Sequence, residues 1–223
     1  MKDTPRPEQE LRRSGLAFFG RITAAVSHDL NNVLSTVGEL SGLLQDFIQD
    51  GRQGSRIPPE KLERVAGSLA AQVQRGAEIV RHLNRFAHSA DDPTRTVDLA
   101  GQLQAVAQLA RSFAARRQIL LQTQSDFEAI SLRTDPFLFQ QAVFLCIDAA
   151  LLSGERGDTI AISGRGHDAD AEVIVTARSI TSSEEVDARL SLLTLIATEL
   201  GGTIAHRRDE ADGHHLILAI PRE

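Results

Sequence analysis

The chain has 223 residues, with 30 acidic against 24 basic side chains, a formal net charge of −6 and a single cysteine. The acidic balance argues against a nucleic-acid partner, because phosphate backbones are bound chiefly by lysine and arginine in excess; a lone cysteine excludes an internal disulfide. The length suffices for two small domains, each with its own core.

Residues 1–14 read as an N-terminal tail. The opening MKDTPRPEQELRR lacks the apolar core of a signal peptide, and no later run of about 18 apolar residues is seen that would span a bilayer. A cytoplasmic location with no membrane contact is expected. From Phe19, the residues Phe19, Ile22, Val26, Leu30, Val33, Val37, Leu40, Leu44 and Phe47 recur at alternating steps of three and four. That spacing is a heptad seam, the signature of a long helix packed as in a coiled coil. Gly38 and Gly42 interrupt it at a cost of up to ~1 kcal/mol each relative to alanine. A second series follows at Leu62, Val65, Leu69, Val73, Gly76, Val80, Leu83 and Phe86. Between the two lies DGRQGSRIPP, with Pro58 and Pro59 where the second helix should begin. An antiparallel hairpin over residues 15–91 is predicted. Helices of ~30 residues reach about 45 Å, too long to stand in water as a lone pair. Two hairpins making a four-helix bundle would bury both seams, so a homodimer is expected.

After HSADDPTRT the period changes, and residues 92–223 read as a second domain. The pattern predicts a strand at Arg95–Leu99, a helix to about Ala115, a strand at Ile119–Thr123, a helix at Asp135–Leu152 and strands TIAISG and AEVIVTA. A helix at Glu184–Leu200 and strands TIAHRR and HHLILAIP complete it, with Gly201-Gly202 as helix cap and turn. Helices interleaved with mostly hairpin-joined strands predict an α/β sandwich with its helices on one face of one sheet. Cys146, inside the apolar run AVFLCIDAALL, reads as a small buried thiol with no activating base nearby.

One polar interruption stands out in the first helix: VSHDLNNVLS, Val26 to Ser35. His28 lies two residues from both Val26 and Leu30, about 200° around the helix from each, so it points away from the core. Asn32 shares that outer face one turn along, and Asp29 sits beside the histidine. A carboxylate that accepts a hydrogen bond from Nδ1–H fixes the imidazole tautomer and leaves Nε2 free as a nucleophile, an arrangement suited to phosphoryl transfer. Taken alone, the same trio also fits the polar outer face of an amphipathic helix. Asn31 has no assignable role. His82, His88, His214 and His215 are assigned to structure or solvent; the last two point to opposite faces of a strand, and no metal site is expected.

SHDLNNVL resembles the phosphoacceptor motif of two-component histidine kinases, carried on the first helix of a dimerising hairpin. The resemblance implies that His28 is the phosphoacceptor, Asp29 its acid-base partner, and Asn32 the holder of a water that hydrolyses a partner's phosphoaspartate. Val33 departs from the proline many members have. RTDPFLFQQAVFLCIDAAL is similar to the helix that carries the family's first ATP-binding box. There Asp148 replaces the asparagine that helps hold Mg²⁺, a change an oxygen-binding ion would tolerate, and Phe144 replaces a second asparagine. The next box, Asp-x-Gly-x-Gly in the family, is replaced by Ala177, Ser179 and Thr181, and an alanine cannot accept the adenine hydrogen bond. Glu184, Glu185 and Asp187 stand where phosphates need donors. ATELGGTI and LILAIP match the family as framework.

The fold implied is α+β: a helical hairpin forming a dimeric four-helix bundle, then a sandwich resembling a degenerate Bergerat-type ATPase domain with a vestigial nucleotide site near Asp148, Ala177, Ser179 and Thr181. The plan resembles the dimeric histidine phosphotransferases of bacterial phosphorelays. His28 would shuttle a phosphoryl group between receiver-domain aspartates of response regulators. No cofactor is expected: ATP binding is not, and Mg²⁺ would come from the partner receiver. The alternatives are a diverged ATP-dependent sensor histidine kinase and a dimeric pseudokinase scaffold without chemistry.

Overall fold

A computed structural model of the chain describes residues 7–54, 56–124, 129–209 and 213–222. Its first element, α1, is an unbroken helix of 46 residues, Pro7–Arg52. Residues 7–14, read from sequence as part of a tail, are its first two turns. Pro7 opens the helix where its missing N–H costs nothing, and Glu8 and Glu10 place negative charge at the positive end of the dipole. Helix α2 runs Pro59–Ala87, and a single 3-10 turn, His88–Ala90, follows it. Gly54, with φ of +90°, makes the left-handed step of the connection.

The chain divides into two compact units. One is the hairpin from Ile22 to Arg85; the other joins the described residues up to Arg21 with those from Phe86 onward. The division therefore cuts inside the 15–91 hairpin expected from sequence. Aromatic packing accounts for it: Phe18 lies 5.3 Å from Phe86, 5.6 Å from Phe137 and 5.2 Å from Phe144, centroid to centroid, in edge-on and tilted arrangements. Phe19 stacks on Phe86 at 5.4 Å. Such pairs add roughly 0.5–1.5 kcal/mol each beyond their buried area, enough to draw the start of α1 and the end of α2 into the second unit.

Within the hairpin unit, Ile22, Ala25, Val33 and Val65 are buried. Gly76 shows why the two seams meet where they do. A Cβ there would stand 3.3 Å from Val33 Cγ1 and 3.8 Å from Leu30 Cδ1. The small residue lets the helix backbones approach closely. Three members of the second predicted seam, Leu62, Val73 and Val80, are exposed instead, Val73 by 62%, and Leu34, Leu43 and Ile48 of α1 are exposed with them. A two-helix unit offers one contact stripe per helix, so a seam wider than that stripe stays uncovered.

The second unit follows the predicted order with one addition. Its elements are β1 (Arg95–Asp98), α3 (Leu99–Arg117), β2 (Leu120–Thr123), β3 (Ser131–Thr134), α4 (Pro136–Ser153), β4 (Thr159–His167), β5 (Asp170–Ala177), α5 (Glu184–Glu199), β6 (Thr203–Asp209) and β7 (Gly213–Pro221). Five strands form one sheet in the order β2-β4-β5-β7-β6, parallel only at β2–β4. The expectation of a single sheet is corrected: β1 pairs antiparallel with β3 in a separate two-stranded sheet. β3 has four residues in a buried–exposed alternation that includes Arg133, too short a pattern to stand out in the sequence. In the large sheet, Ile160, Ile162, Val173, Val175, Leu216 and Leu218 are buried while their alternate neighbours are mostly part-exposed, so one face carries the core. Asp98 and Asp135 cap α3 and α4, accepting from Gly101 N–H at 2.7 Å and from Phe137 and Leu138 N–H at 2.9 and 3.0 Å.

Helix α4 is the centre of that core. It is also long and apolar enough to pass for a membrane span, with a mean hydropathy of 1.5 over its 18 residues, which corrects the expectation that no such run exists. Its window is 78% buried inside the fold, as in the core helix of a globular domain.

Replacing Gly76 by leucine forces side-chain volume into the Val33 contact and should destabilise the hairpin by about 1–3 kcal/mol. Denaturant unfolding followed by circular dichroism measures it; an unchanged midpoint would remove the close approach from the argument.

Candidate functional site

His28 sits on α1 with 61% of its side chain exposed, and Asp29 is half as open at 31%. Nδ1 faces both polar neighbours: it lies 3.5 Å from Asp29 Oδ1 and 3.3 Å from Asn32 Nδ2. Asn32 reaches it because residues four apart share a helix face. The amide of Asn32 donating to a bare Nδ1 would put the ring proton on Nε2, whereas Nδ1–H donating to Asp29 leaves Nε2 with a free lone pair. A half-turn of the Asn32 amide presents its carbonyl oxygen and brings both neighbours into agreement on Nδ1–H. Among the described residues no hydrogen bond to Nε2 is formed, so the outer nitrogen is open to an incoming group.

A second polar centre lies within the sandwich unit. Asp148, on α4, has only 4% of its side chain exposed. Arg21, from the first turns of α1, forks onto it through Nη1 at 2.6 Å and Nη2 at 2.5 Å. Arg189, from α5, donates through Nε at 3.0 Å. The Arg21 guanidinium also lies against two rings, 5.0 Å from the Phe113 centroid and 5.2 Å from Phe144. Burial pushes the Asp148 carboxyl up, but the hydrogen bonds and charges of Arg21 and Arg189 outweigh it and hold the group below the usual carboxylate range.

Of the four positions named from the resemblance, Ser179 and Thr181 meet the end of α4 at Ser153. Ala177 ends β5 and is buried. Ser179 Oγ donates to the Ser153 carbonyl at 3.4 Å, and Thr181 N–H donates to Ser153 Oγ at 3.1 Å. Ser183 caps α5 by accepting from Val186 N–H at 3.2 Å. Glu184, Glu185 and Asp187 fill the first turn of α5, where negative charge offsets the helix dipole.

No family model matches the chain. It is 24% identical over 226 residues to the sensor histidine kinase ZraS of Escherichia coli strain K12. That alignment covers 94% of this chain and 47% of ZraS, so the chain spans about half the length of the curated relative it matches. Among solved structures it is similar to the Acinetobacter baumannii histidine kinase AdeS, with a TM-score of 0.50 and 16% identity over 82% of this chain and 95% of that one. It is similar also to histidine kinase ThkA solved in complex with the response regulator protein TrrA, with a TM-score of 0.50 and 18% identity over 100% of this chain and 68% of that one. The catalytic domain of ThkA alone matches 58% of this chain and 97% of its own at a TM-score of 0.51 and 19% identity. The chain is similar in sequence to a sensor histidine kinase and shares the fold of histidine kinase catalytic domains.

The residues of the histidine-kinase-like sandwich do not fit the magnesium-bound nucleotide that such a fold implies. Both carboxylate oxygens of Asp148 are taken by guanidinium groups. The methyl of Ala177 offers no acceptor to a base, and the hydroxyls of Ser179 and Ser183 are turned onto Ser153 and the α5 cap. Sequence reasoning missed Arg21, Arg189 and Phe113. The signal was present in Asp148 itself, because a carboxylate inside an apolar helix requires a cation from elsewhere. Four of the other histidines have close partners: His88 meets Asp91 at 2.7 Å, His214 meets His206 at 3.0 Å, and His215 meets Thr176 at 3.0 Å. Among the described residues no group of three or more His, Cys, Asp or Glu side chains is placed to hold a metal. Cys146 is fully buried and its thiol is pushed up to about 12, which leaves it unreactive at neutral pH.

The depressed carboxyl of Asp148 sets a pH window. Its stabilisation is complete above its unfolded pKa of about 3.9 and is lost as pH falls through the lower folded value. Asp148→Asn should be about 1–3 kcal/mol less stable than wild type near pH 7, with the gap closing on acidification below about pH 4. Thermal unfolding across that range measures both; a gap that persists undiminished in acid would contradict the assignment.

Proposed function

We propose that this chain is a His–Asp phosphotransfer protein of a two-component phosphorelay, with His28 as the phosphoryl carrier. The observation that carries the reading is the combination of an exposed His28, its Nε2 open and its Nδ1 framed by Asp29 and Asn32, with an Asp148 already committed to two arginines. The Nε2 lone pair attacks phosphorus on a receiver's phosphoaspartate; the N–P bond forms as the P–O bond to the aspartate breaks, and that oxygen leaves as carboxylate. Asp29 stabilises the Nδ1–H of the imidazolium that results. The reverse step passes the group to a second receiver, and the receiver brings its own Mg²⁺. Asn32 orients the ring in transfer and holds the water when phosphoaspartate is hydrolysed. The partners are response-regulator receiver domains, in keeping with ThkA having been solved with one.

Homodimerisation belongs to this reading. Leu34, Leu43 and Ile48 of α1 and Leu62, Val73 and Val80 of α2 are exposed apolar residues on the hairpin, and pairing two hairpins would bury them. A cytoplasmic location without nucleic acid or membrane goes with it. A second reading has support of its own: the relatives and fold neighbours are kinases, which fits an ATP-dependent sensor histidine kinase that has diverged at its boxes.

Two measurements test these proposals. Label from a phosphorylated receiver should appear on wild type and not on His28→Ala, while ATP with Mg²⁺ alone should label neither. Labelling of wild type from ATP that disappears in His28→Ala would establish the kinase reading instead. In sedimentation, wild type should be a dimer and Leu34→Glu/Val73→Glu a monomer; a monomeric wild type at tens of micromolar would end the bundle proposal.

A further inference from the structure

The poor fit between this sandwich and a nucleotide has a positive side. Phe144 and Asp148 are the two positions of α4 at which the kinase resemblance places asparagines of the first ATP-binding box, and they lie one helical turn apart on the same face. Both substitutions serve a single object. Phe144 gives the Arg21 guanidinium an aromatic face, and Asp148 gives it a planar carboxylate to fork onto. Phe113 of α3 adds a second ring beside the first, 5.0 Å from the guanidinium carbon and 5.2 Å from the Phe144 ring, which it meets edge-on. An asparagine at either position would supply neither a π face nor a charge. Arg189 completes the cluster from α5, the helix that stands where the family has its nucleotide lid.

We propose that the metal-binding box has been rebuilt as a receptor for the chain's own guanidinium groups. Arg21 and Arg189 are positioning residues that take the place of a divalent cation at Asp148. The single carboxylate is then a shared tether: it holds Pro7–Arg21 of α1 to the sandwich through Arg21 and holds α5 on α4 through Arg189. What a bound nucleotide would do from outside, closing the lid segment, is done permanently from within. The inference rests on the reading of the protein as one that works without ATP, and it adds the physical means by which nucleotide is kept out: the site is already filled.

Hydrogen exchange read by mass spectrometry on the full chain tests the tether. Peptides covering 7–21 and 184–199 should be protected in wild type, and millimolar Mg²⁺ with a non-hydrolysable ATP analogue should change neither. Asp148→Asn should speed exchange in both segments by about tenfold, the loss expected when charged groups lose a buried partner. Arg21→Ala should speed it in 7–21 and Arg189→Ala in 184–199, and these two variants keep the test open if Asp148→Asn fails to fold. Fast exchange of 184–199 in wild type that slows only with nucleotide would overturn the proposal. So would arginine variants indistinguishable from wild type. The phosphotransfer assay is read separately: an absence of label on His28 with the exchange pattern intact removes the phosphorelay reading and leaves the tether standing.

Discussion

A carboxylate buried in the middle of an apolar helix is the constraint around which the sandwich unit is arranged. Asp148 has almost no contact with water, and an isolated charge in that position would be expelled or neutralised. Two guanidiniums meet it, one from α1 and one from α5. The aromatic residues around Arg21 are part of the same arrangement, since Phe113 and Phe144 cover the guanidinium while Phe18 packs on Phe144 and ties the start of α1 to Phe86. Removing one partner of such a cluster leaves the others desolvated, so its members are more interdependent than surface ion pairs.

The hairpin obeys a different logic. Its helices are held by a narrow apolar contact in which Gly76 makes room for Val33 and Leu30, and much of its remaining apolar surface faces outward. His28 and Asn32 use the polar side of the same helix. Because their spacing is four residues, the helix geometry alone brings the Asn32 amide within 3.3 Å of the imidazole. The pairing at His28 therefore needs nothing from a distant part of the chain, whereas the cluster at Asp148 draws on four helices. A contact within one helix follows from the helix period, whereas a charge cluster among several helices depends on how those helices pack.

Legibility in the sequence followed that distinction. The two long helices, α3 to α5, and the strands other than β3 were marked by period, caps and turn residues: Asp135-Pro136 opens α4 and Pro59 opens α2 in the predicted places. β3 was missed because four residues with an arginine among them carry no distinctive period. The start of α1 was missed because the polar run from Glu8 to Arg13 was read as tail, although its residues favour helix. Leu62, Val73 and Val80 of the α2 seam are uncovered within one hairpin, since heptad spacing marks apolar positions without saying which neighbouring helix covers them.

By itself the sequence determined the outward place of His28, the company of Asp29 and Asn32, and the lack of a side-chain acceptor at Ala177, because each of these is a matter of local spacing or of residue chemistry. Only the tertiary structure decided what became of Asp148. Read alone, an aspartate in an asparagine's place remains a candidate oxygen ligand. Its partners lie 127 and 41 residues away along the chain, and no periodicity or motif links positions so far apart. Charge pairing in a core is settled by which side chains folding brings to the same few ångströms, and here it brought two arginines.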